Sequence, residues 1–444
     1  PSLQNLLIPG SAFEFLSFFG SVGYDINNKY SFTLNARADG STKVSENNQF
    51  GIFPAVAFGW TLSNESFLAG SSQVSFLELN ISAGLIGNTP EDDFLYRTNY
   101  YNVLYGDLQG YRLSNLANSS LKWESTQQFD FGISYGLFEN RLTGSLGGYY
   151  KYTYDLLFPV PISQLSGQSS SIDNAGEMVN MGIEFDVTGL IIDGGDFQWN
   201  ASFNISNNKN EIKSIGGQPL ISGNNAFIEG ESAGVFYMPK YLGVDPISGA
   251  ALYDRGDGVP TSDYDLAVSD GRQVVGNPNP KFYGGLTNNL SYKNLNFNFM
   301  FQFVEGIDLY WESGEIIANS GYGLYNQTRD QLDRWYASGD DTNNPKMNPA
   351  LETPNPSSRW IVDGSYIRLK TVTLSYDIPV NFGTLSVYVG GQNLLTFSDY
   401  PGYDPDVSYS DPAGGTFAAN INRGVAFFSA PQPRIYTTGI KIGF

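Results

Sequence analysis

The sequence predicts an all-β fold, a transmembrane, antiparallel, up-and-down β-barrel. Three observations predict it: apolar and polar residues alternate along many segments, the segments are about ten residues long, and short connections alternate with long polar ones. Alternation alone also suits a soluble β-sandwich, whose apolar faces meet in a core. Segment length favours the barrel, because a tilted strand needs about 9–11 residues to cross a bilayer.

The alternation is clearest between Phe297 and Phe303, where four phenylalanines occupy one face and Asn298, Met300 and Gln302 occupy the other. Successive side chains of a strand point to opposite faces, so such a segment has one nearly uncharged face. In a membrane barrel that face contacts lipid, and the polar face lines the lumen. Similar patterns run through residues 30–37, 128–135, 142–152, 183–188 and 198–205.

Counting these segments gives about thirteen strands. An odd number of antiparallel strands leaves the two ends of the chain on opposite sides of the membrane. If the C-terminus is periplasmic, the first residue lies on the outer side, in the middle of a barrel. The parity therefore predicts that residues 1–444 are the C-terminal portion of a larger barrel. The predicted strands lie near 11–26, 30–40, 51–62, 76–87, 122–136, 141–155, 176–190, 196–209, 281–292, 295–305, 364–377, 383–397 and 433–444.

The connections predict which end of the barrel faces outward. Outer-membrane barrels combine short periplasmic turns with long extracellular loops. Tyr149, Tyr150, Tyr152 and Tyr154 also crowd the end of one predicted strand, as an aromatic girdle at the membrane surface requires. Short connections at 25–29, 137–140, 293–294 and 378–381 alternate with long ones near 88–121, 211–280, 306–363 and 398–432.

Composition excludes several kinds of function. Charged residues make up 15% of the chain, whereas soluble domains carry about 25%. Cysteine and histidine are both absent, so the chain cannot build a disulfide, a Ser-His or Cys-His nucleophilic pair, or a histidine-ligated zinc site. A net charge of −20 argues against nucleic acid as a partner, because phosphates attract Lys and Arg.

Neither a membrane helix nor a secretory signal is evident in the sequence. No apolar run approaches the roughly 18 residues of a membrane helix. The opening residues Pro1–Asn5 lack the basic and apolar regions of a signal peptide. Because a barrel has to leave the cytoplasm, we expect the native chain to begin upstream of Pro1.

Five segments add a more specific signal, although each has a structural explanation as well. Asp-Gly and Gly-Gly pairs suit turns with positive φ, and Pro278 and Pro280 favour an extended approach to a strand. The segments are Tyr30–Ser41 with Gly51–Trp60, Leu121–Glu124, Val275–Gly285, Asp363–Lys370, and Gly391–Phe397 with Gly402–Pro405. Their sequences and their order resemble the C-terminal half of the SusC/RagA-type TonB-dependent outer-membrane transporters of the Bacteroidetes.

The resemblance implies a function and several partners. Such transporters form a plugged barrel of about 22 strands and import nutrients such as oligosaccharides or oligopeptides. TonB supplies energy through an N-terminal region, a SusD-like surface lipoprotein caps the barrel, and the barrels occur in pairs. On this resemblance the plug, the TonB-contacting segment and the first strands lie outside this sequence, and the long loops form part of the substrate vestibule and the seat of the lid.

The last strand carries a further expectation. Tyr436, Thr438, Ile440, Ile442 and Phe444 share one face, so we expect them to contact outer-membrane lipid. The resemblance implies that Tyr436, Ile440, Ile442 and the terminal aromatic Phe444 form the signal that the barrel-assembly machinery reads, with the C-terminus in the periplasm.

Motifs for catalysis or metal binding are weak. Two Ser-x-x-Lys matches, Ser119–Lys122 and Ser206–Lys209, arise readily by chance. The stretch Asp254–Gly258 suggests calcium superficially but fails the EF-hand spacing, so a solvated turn is the better interpretation. Nothing in the sequence brings two carboxylates together as a glycoside-hydrolysing pair. We therefore predict no enzymatic activity, cofactor or metal, and the sequence does not identify the substrate-binding residues.

Loop aromatics are the remaining candidates for contacts with a ligand. Trp311, Trp335, Tyr336, Tyr400 and Tyr403 could stack on sugars or peptide side chains, or they could pack the loops. Residues 328–336 predict a short helix, which favours packing for Trp335.

Two other functions stay open. A SusC-like barrel could be a structural subunit of a larger outer-membrane complex without transport, in which case the plug or the TonB segment would be lost upstream. A soluble carbohydrate-binding sandwich would neither need detergent nor float with outer membranes. The leading prediction is TonB-dependent import across the outer membrane, by binding without chemistry.

Overall fold

Strands make up most of the structure. The computed structural model describes residues 13–106, 108–168, 170–319, 325–347, 355–380, 383–406 and 421–443. In these ranges the first twelve strands are β1 Phe15–Ile26, β2 Tyr30–Ser41, β3 Phe50–Thr61, β4 Val74–Asn88, β5 Asn99–Tyr105, β6 Leu108–Asn115, β7 Glu124–Leu137, β8 Leu142–Pro161, β9 Ser170–Gly194, β10 Phe197–Ser214, β11 Leu220–Ser222 and β12 Asn225–Phe227. The next twelve are β13 Val235–Pro239, β14 Tyr241–Val244, β15 Ala251–Asp254, β16 Pro260–Thr261, β17 Arg272–Gly276, β18 Phe282–Tyr292, β19 Leu295–Glu305, β20 Asp308–Tyr310, β21 Ile361–Asp363, β22 Tyr366–Val380, β23 Gly383–Phe397 and β24 Ile435–Gly443.

Helices are short. Within the described ranges, no helix has both the length and the apolar composition needed to cross a membrane. The helix predicted at 328–336 is a shorter 3-10 helix, Arg329–Asp333, because the amides of Tyr336 and Ala337 bind the Asp340 carboxylate at 2.8 Å instead of continuing the helix. The others are α1 Tyr264–Asp270, α2 Glu312–Ile317, and 3-10 helices at Glu46–Asn48, Leu62–Asn64, Gln164–Ser166 and Ser358–Trp360.

Thirteen strands form one sheet, in the order β1-β2-β3-β4-β7-β8-β9-β10-β18-β19-β22-β23-β24. Neighbours in the sheet follow one another along the chain, apart from short strands within the long connections. The pairings from β1 to β8 and from β10 to β24 are antiparallel. Each of the thirteen strands overlaps one predicted segment, so the prediction of consecutive antiparallel strands is confirmed.

The chain divides into two compact units. The first contains the residues up to Glu184 together with Lys209–Gln218, and the second contains Phe185–Asn208 and the chain from Pro219 onward. The first unit has a small core in which Val44, Phe53 and Trp123 are buried and Leu85 packs against them. The core of the second unit belongs to its long connections and is described with them below.

Three strands extend beyond their predicted ends. The structure continues β8 to Pro161, begins β9 at Ser170 and continues β10 to Ser214. Hydropathy alternation fades in these extensions, because a strand outside the lipid needs no apolar face while its backbone groups still pair. The tyrosines between Tyr149 and Tyr154 therefore lie inside β8, and their predicted placement at a strand end was wrong.

Three of the four predicted short connections are confirmed. The fourth, at 378–381, was placed too early, because β22 continues to Val380, which pairs with Gly383 of β23. Asn27, Asn28 and Lys29 join β1 to β2. Asn27 and Asn28 have φ of 53° and 54°, and the Lys29 amide donates to Ile26 O at 2.9 Å and closes the turn. Residues 138–140 have positive φ between β7 and β8, as does Lys293 between β18 and β19. The turn predicted at 378–381 falls partly outside the described residues.

The sheet has an apolar face and a polar face. Val22, Leu34 and Val56 are neighbours on β1, β2 and β3 and are 67%, 57% and 52% exposed. On the opposite face polar side chains bond to one another across strands, as Ser82 does to Asp130 at 3.0 Å. An apolar face open to its surroundings is expected where lipid covers the strands.

A β-bulge at Lys370 keeps the apolar face continuous along β22. Phe301 pairs with Leu369 and Met300 pairs with Thr371, so Lys370 is an extra residue opposite β19. Without it, the alternation would bring Thr371 to the apolar face. Odd-numbered residues of β22 therefore face outward before the bulge, and even-numbered residues face outward after it.

The Glu65 side chain connects β2, β3 and the turn between β1 and β2 through hydrogen bonds. It lies between β3 and β4 and accepts hydrogen bonds from Lys29 Nζ at 2.8 Å, Tyr30 Oη at 2.6 Å and Trp60 Nε1 at 3.2 Å. The hydrogen bonds from Lys29 and Tyr30 lower the pKa of the Glu65 carboxyl to about 2. Its contribution to stability is therefore complete above pH 4.5, the ordinary pKa, and is lost as the pH falls toward about 2.

A charge on the apolar face should destabilise the membrane-embedded sheet. Arginine at the bilayer midplane costs a barrel about 2–4 kcal/mol, so Leu34→Arg is expected to lower the temperature at which the full-length protein unfolds. Heat-dependent mobility on detergent gels measures that temperature. The matched control is Asn35→Arg on the polar face, which should change it little. Equal losses for the two variants would contradict the assignment of faces.

The Glu65 cluster predicts a pH-dependent stability difference. Glu65→Gln removes the charge that Lys29 and Tyr30 bind, so the variant should unfold at a lower temperature than the parent protein at pH 7. The difference between the two unfolding temperatures should become smaller from pH 5 to pH 3. As the pH falls, protonation of Glu65 in the parent protein removes the charge that stabilises its folded state. Tryptophan fluorescence during heating follows both proteins. Glu46→Gln, at a 76% exposed side chain, is the control, and a difference independent of pH would refute the assignment.

Candidate functional site

The long connections of the second unit are folded, and we call them the loop body: the described residues of 219–281, 306–365 and 398–434. They contain a four-stranded sheet β11-β12-β13-β17, a three-stranded sheet β14-β15-β16 and the pair β20-β21. In the structure the described parts of these predicted loops are connections with secondary structure of their own, and their position outside the cell stays a prediction. The first long connection, 88–121, similarly contains the β5-β6 hairpin.

One apolar core joins the three parts of the loop body. Phe236, Met238, Tyr310, Ala318 and Trp360 are all at most 4% exposed, and Val275, Trp311, Ile361 and Val425 pack against them. The backbone of Tyr310 also bonds to Gly424 and Ala426, each at 2.9 Å. Burying one large apolar side chain contributes roughly 1.5–3 kcal/mol. The loop body is therefore a packed structure, suited to hold side chains in fixed positions.

A buried acid lies beside this core. Glu315 is 2% exposed and accepts a hydrogen bond from the Tyr310 hydroxyl. Burial raises the pKa of Glu315 to about 7, and the neighbouring Glu312 adds to the increase. The folded loop body thus holds this proton at a pH where the unfolded chain has lost it. Its contribution to stability is complete below pH 4.5 and is lost as the pH rises through about 7.

Arg368 anchors the loop body to the sheet. It lies on β22 with 0% exposure, and its Nη2 donates a hydrogen bond to Asp404 Oδ1. Burial raises the pKa of Asp404, but hydrogen bonds from the Asp406 and Gln432 amides and from Arg368 outweigh it and leave the pKa below its ordinary value. The Asp404 carboxylate is therefore charged at neutral pH and links the backbone of Asp406 and Gln432 to Arg368 on β22.

The segment Asp363–Lys370 makes contacts that explain its sequence. Asp363 Oδ1 accepts a hydrogen bond from the Ser365 amide, and Ser365 Oγ accepts one from the Gly306 amide at 2.9 Å. A Cβ added at Gly364 would lie 2.5 Å from Leu309 Cγ, so only glycine fits there. Arg368 joins this segment to Asp404 of the segment Gly402–Pro405. The positive φ predicted for the Asp363-Gly364 pair was wrong, because Gly364 does not adopt a left-handed conformation and is required instead by the close approach of Leu309.

Arg359 is placed between aromatic rings at a cavity. Its guanidinium carbon is 4.6 Å from the ring centre of Trp360 and 5.4 Å from that of Tyr241, and its Nη2 donates to Asn344 Oδ1 at 2.8 Å. Cation–aromatic contacts of this kind stabilise by about 0.5–2 kcal/mol. Burial lowers the pKa of Arg359, although nearby Tyr241 opposes that shift.

The cavity beside Arg359, which we call the aromatic cavity, has a volume of about 520 Å³. Tyr241, Trp311 and Trp360 supply aromatic walls, and Asp330 and Asn344 supply polar groups. Small-molecule sites have about 300–1,000 Å³ and combine apolar walls with a few polar groups. The arrangement can therefore bind a ligand that presents a flat ring face and hydrogen-bonding groups.

The predicted loop aromatics differ in their contacts and in their exposure. Trp311 packs on the loop-body core and lines the aromatic cavity. Trp335 donates to Pro246 O at 3.1 Å and covers Gly249, so the predicted packing role is confirmed. Tyr336 and Tyr403 are 60% and 78% exposed. Tyr400 is half-buried, and burial raises its pKa to about 12.

The weak motifs for chemistry are separate from this cavity. Lys122 pairs with Asp155 at 2.9 Å and Lys209 pairs with Glu211 at 3.4 Å, so both lysines of the Ser-x-x-Lys matches are charged partners of acids. Asp254 Oδ1 accepts the amides of Gly256 and Gly258 at 2.8 and 2.9 Å, and the interpretation as a turn is confirmed.

The predicted barrel-assembly residues lie on the last strand of the sheet. In β24 Tyr436, Ile440 and Ile442 share one face and are 76%, 67% and 52% exposed. Phe444 lies outside the described residues. Their exposure fits contact with lipid, while their role as a signal stays a prediction.

No local sequence pattern singles out Arg359, Tyr241 or Glu315. The contact between Arg359 and Tyr241 joins residues more than a hundred positions apart. Glu315 bonds to Tyr310, five positions away, but its burial is a property of the folded loop body. One local signal was present: an arginine next to a tryptophan lies just before the segment that begins at Asp363.

The buried pair predicts a specific loosening of the loop body. Arg368→Met leaves Asp404 buried without its cation, at a cost of about 3–5 kcal/mol. Limited proteolysis of the full-length protein should therefore cut within 398–434 sooner than in the parent protein. Arg255→Met is the control, because Arg255 pairs with Asp257 at the surface, with side chains 43% and 47% exposed. Unchanged cleavage in Arg368→Met would show that the pair does not anchor this connection.

Comparisons with known proteins agree with the architecture. Residues 8–394 match the family described as TonB dependent receptor-like, beta-barrel. TonB-dependent receptor P3 of Formosa agariphila is 36% identical over 97% of this chain and 46% of its own length. TonB-dependent receptor SusC of Bacteroides thetaiotaomicron is 29% identical over 88% of this chain and 41% of its own length.

A solved structure shows the same fold. The structure of the RagAB peptide transporter superposes with a TM-score of 0.84 at 28% identity, covering 97% of this chain and 48% of that one. The chain thus spans about half the length of the relatives that it matches. With thirteen strands in one sheet and a match over most of its length, the chain belongs to the β-barrel family of TonB-dependent receptors, and its similarity to SusC and to the RagAB structure is consistent with the SusC/RagA type.

Proposed function

We propose that the protein imports a nutrient across the outer membrane, with TonB supplying energy and a SusD-like surface lipoprotein acting as a lid. Family membership supports the transport function, and the relative named SusC and the structure named RagAB peptide transporter support the kind of partner. Residues 1–444 form the C-terminal portion of the barrel in this proposal. The plug and the TonB-contacting segment belong to the rest of the protein.

The observation that carries the proposal is the loop body with its aromatic cavity. Three connections contribute Tyr310, Trp360 and Val425 to one packed core, and the cavity beside Arg359 is large enough for a small ligand. A transporter has to bind its cargo at the membrane surface before import. A packed loop body gives that cargo a fixed vestibule wall and gives a lid a firm surface to close on.

The proposed orientation has the long connections outside the cell and the C-terminus in the periplasm. The alternation of short turns with long connections supports this orientation. The exposed face of β24, with Tyr436, Ile440 and Ile442, would contact outer-membrane lipid, and together with Phe444 it would be read by the barrel-assembly machinery. The net charge of −20 makes nucleic acid an unsuitable partner. Pairing of two barrels in the membrane is part of the proposal.

Binding without catalysis is the proposed mode of action. The chain lacks Cys and His, and the lysines of the Ser-x-x-Lys matches form ion pairs. The cargo is an oligosaccharide or an oligopeptide, since both present groups that aromatic and amide side chains bind. Transport then depends on release of the cargo into the barrel when TonB acts.

Native mass spectrometry of the complex, extracted gently from outer membranes, tests the proposal. We expect a chain far heavier than 48.7 kDa, bound to one lipoprotein of lid size. Cells that contain the full-length protein should take up a labelled nutrient only while the inner membrane is energised. A protonophore provides the control for that dependence, and a strain without the gene provides the background.

The opposite result would favour a structural role. A heavy chain that purifies with several unrelated barrel or periplasmic subunits, and whose removal changes no uptake, would mean that the protein is a structural subunit of a larger complex. The upstream region then should lack a working plug or TonB segment.

A further inference from the structure

A second cavity in the loop body, which we call the cationic cavity, shares Arg359 and Trp360 with the aromatic cavity. It has a volume of about 170 Å³, and Lys346, Tyr253 and Asn355 also line it. That space holds about six water molecules at roughly 30 Å³ each. It is smaller than a complete ligand site and matches a subsite for one ring or one charged group.

The charged side chains that line this cavity are both cations, although Asp330 acts electrostatically on Arg359 from outside the lining. Its lining includes Arg359 and Lys346 and, among the residues that the structure describes, no aspartate or glutamate. The whole chain has 44 acidic residues and only 24 basic ones, so a lining with two cations and no acid departs from the composition. Asp330 borders the neighbouring aromatic cavity, and Asp245 interacts with Lys346 from a distance.

Neither cation has a carboxylate partner within the described part of the chain, where every ion pair with N···O of 4.0 Å or less joins other residues. Arg359 is partly buried between Tyr241 and Trp360 and donates one hydrogen bond, to Asn344. A guanidinium has five N–H donors, and removing a cation from water is unfavourable unless it is paired. The site is therefore prepared for an anion.

The backbone of Lys346, the residue that carries the second cation, is held in place. Lys346 N donates to Gly249 O at 2.9 Å, and Trp335 covers Gly249, whose φ is +71°. A Cβ at position 249 would lie 2.3 Å from the Trp335 ring, so this corner leaves no room for a larger residue. The exposed Lys346 side chain is thus attached to a packed corner of the loop body.

Neutral polar groups complete the lining. Ser262, Asn319 and Asn355 contribute a hydroxyl and two amides, and Asn355 Nδ2 lies 3.5 Å from the Tyr253 hydroxyl. Hydroxyl and amide groups both donate and accept hydrogen bonds, which suits a ligand with several hydroxyls. A sugar ring offers these neutral groups several hydroxyls close to its carboxylate, more than one amino-acid residue offers beside its own.

We propose that the cationic cavity binds one acidic sugar residue of the cargo, with its carboxylate on Arg359 and Lys346. Arg359 presents the fork geometry that binds a carboxylate through two parallel hydrogen bonds. Ser262, Asn319 and Asn355 bind the ring hydroxyls, and the aromatic cavity takes the next residue of the oligosaccharide. The inference rests on the proposed import function and narrows its cargo to acidic oligosaccharides.

Binding to the full-length protein with its lipoprotein partner tests the inference. The probes are a glucuronate-containing oligosaccharide, a neutral glucose oligosaccharide of the same length, and an acidic dipeptide, each titrated by calorimetry. The acidic sugar should bind at least tenfold more tightly than the other two. Arg359→Gln and Lys346→Gln should each weaken the acidic sugar by about tenfold to a hundredfold, as loss of a charge-assisted hydrogen bond predicts, and should leave the neutral sugar unchanged.

Two further variants separate binding from folding. Arg359→Lys keeps the charge but loses the fork, so it should recover part of the affinity. Arg255→Gln, which removes a surface cation of the same loop body, should bind like the parent protein. All four variants should unfold within a degree or two of the parent, and an equal loss for every probe in Arg359→Gln would mean that the residue only supports the fold and would overturn the inference.

The remaining outcomes are also decisive. Equal affinity for acidic and neutral sugars would overturn the anion subsite, and tighter binding of the acidic dipeptide would overturn the assignment to a sugar. Uptake by whole cells distinguishes this failure from failure of the proposed function. If the parent protein imports a nutrient whose binding does not depend on charge, the inference fails alone; if it imports nothing, the proposed function fails.

Discussion

The structure depends on one constraint: in lipid, every backbone N–H and C=O group of the strands has to find a partner within the protein. Consecutive strands satisfy this constraint inside the sheet, because each strand except β1 and β24, at its two edges, pairs with the strand before and the strand after it. Once pairing is satisfied by the backbone, the side chains of Val22, Leu34 and Val56 need only be apolar. The polar face is free to carry hydrogen-bonding groups such as Ser82 and Asp130.

The loop body follows a different principle. Its three connections lie far apart in sequence, and an apolar core around Tyr310 and Trp360 brings them together. The buried pair Arg368–Asp404 attaches this core to β22. A buried ion pair contributes little net free energy to folding, but it fixes the position of its two partners, because either charge without the other would be costly to bury. The side chains at the cavities, Arg359 foremost, therefore keep a fixed relation to the strand that carries Arg368.

The strands of the sheet could be predicted from the sequence, but the residues of the candidate site could not, and the reasons are physical. A strand has a local sequence pattern, the alternation of apolar and polar residues, so all thirteen strands could be predicted. The residues Asn27-Asn28 could likewise be predicted to belong to a turn. The ends of β8, β9 and β10 were missed because the pattern fades where lipid ends. The setting of Arg359 depends on Tyr241 and Asn344, and no local pattern connects residues so distant. A bulge at Lys370 is likewise visible only once β19 is paired with β22.

That bulge divides β22 into two halves of opposite phase. Before the bulge the even-numbered Tyr366 and Arg368 are buried and Ile367 lies on the apolar face, while after it the even-numbered Leu374 and Tyr376 lie on the apolar face. A single inserted residue therefore lets one strand satisfy two requirements separately: an apolar outward face along its length and buried contacts with the loop body near its start. A change in a side chain that lies on the inner face before the bulge, such as Tyr366, therefore leaves the outward pattern of Leu374 and Tyr376 intact.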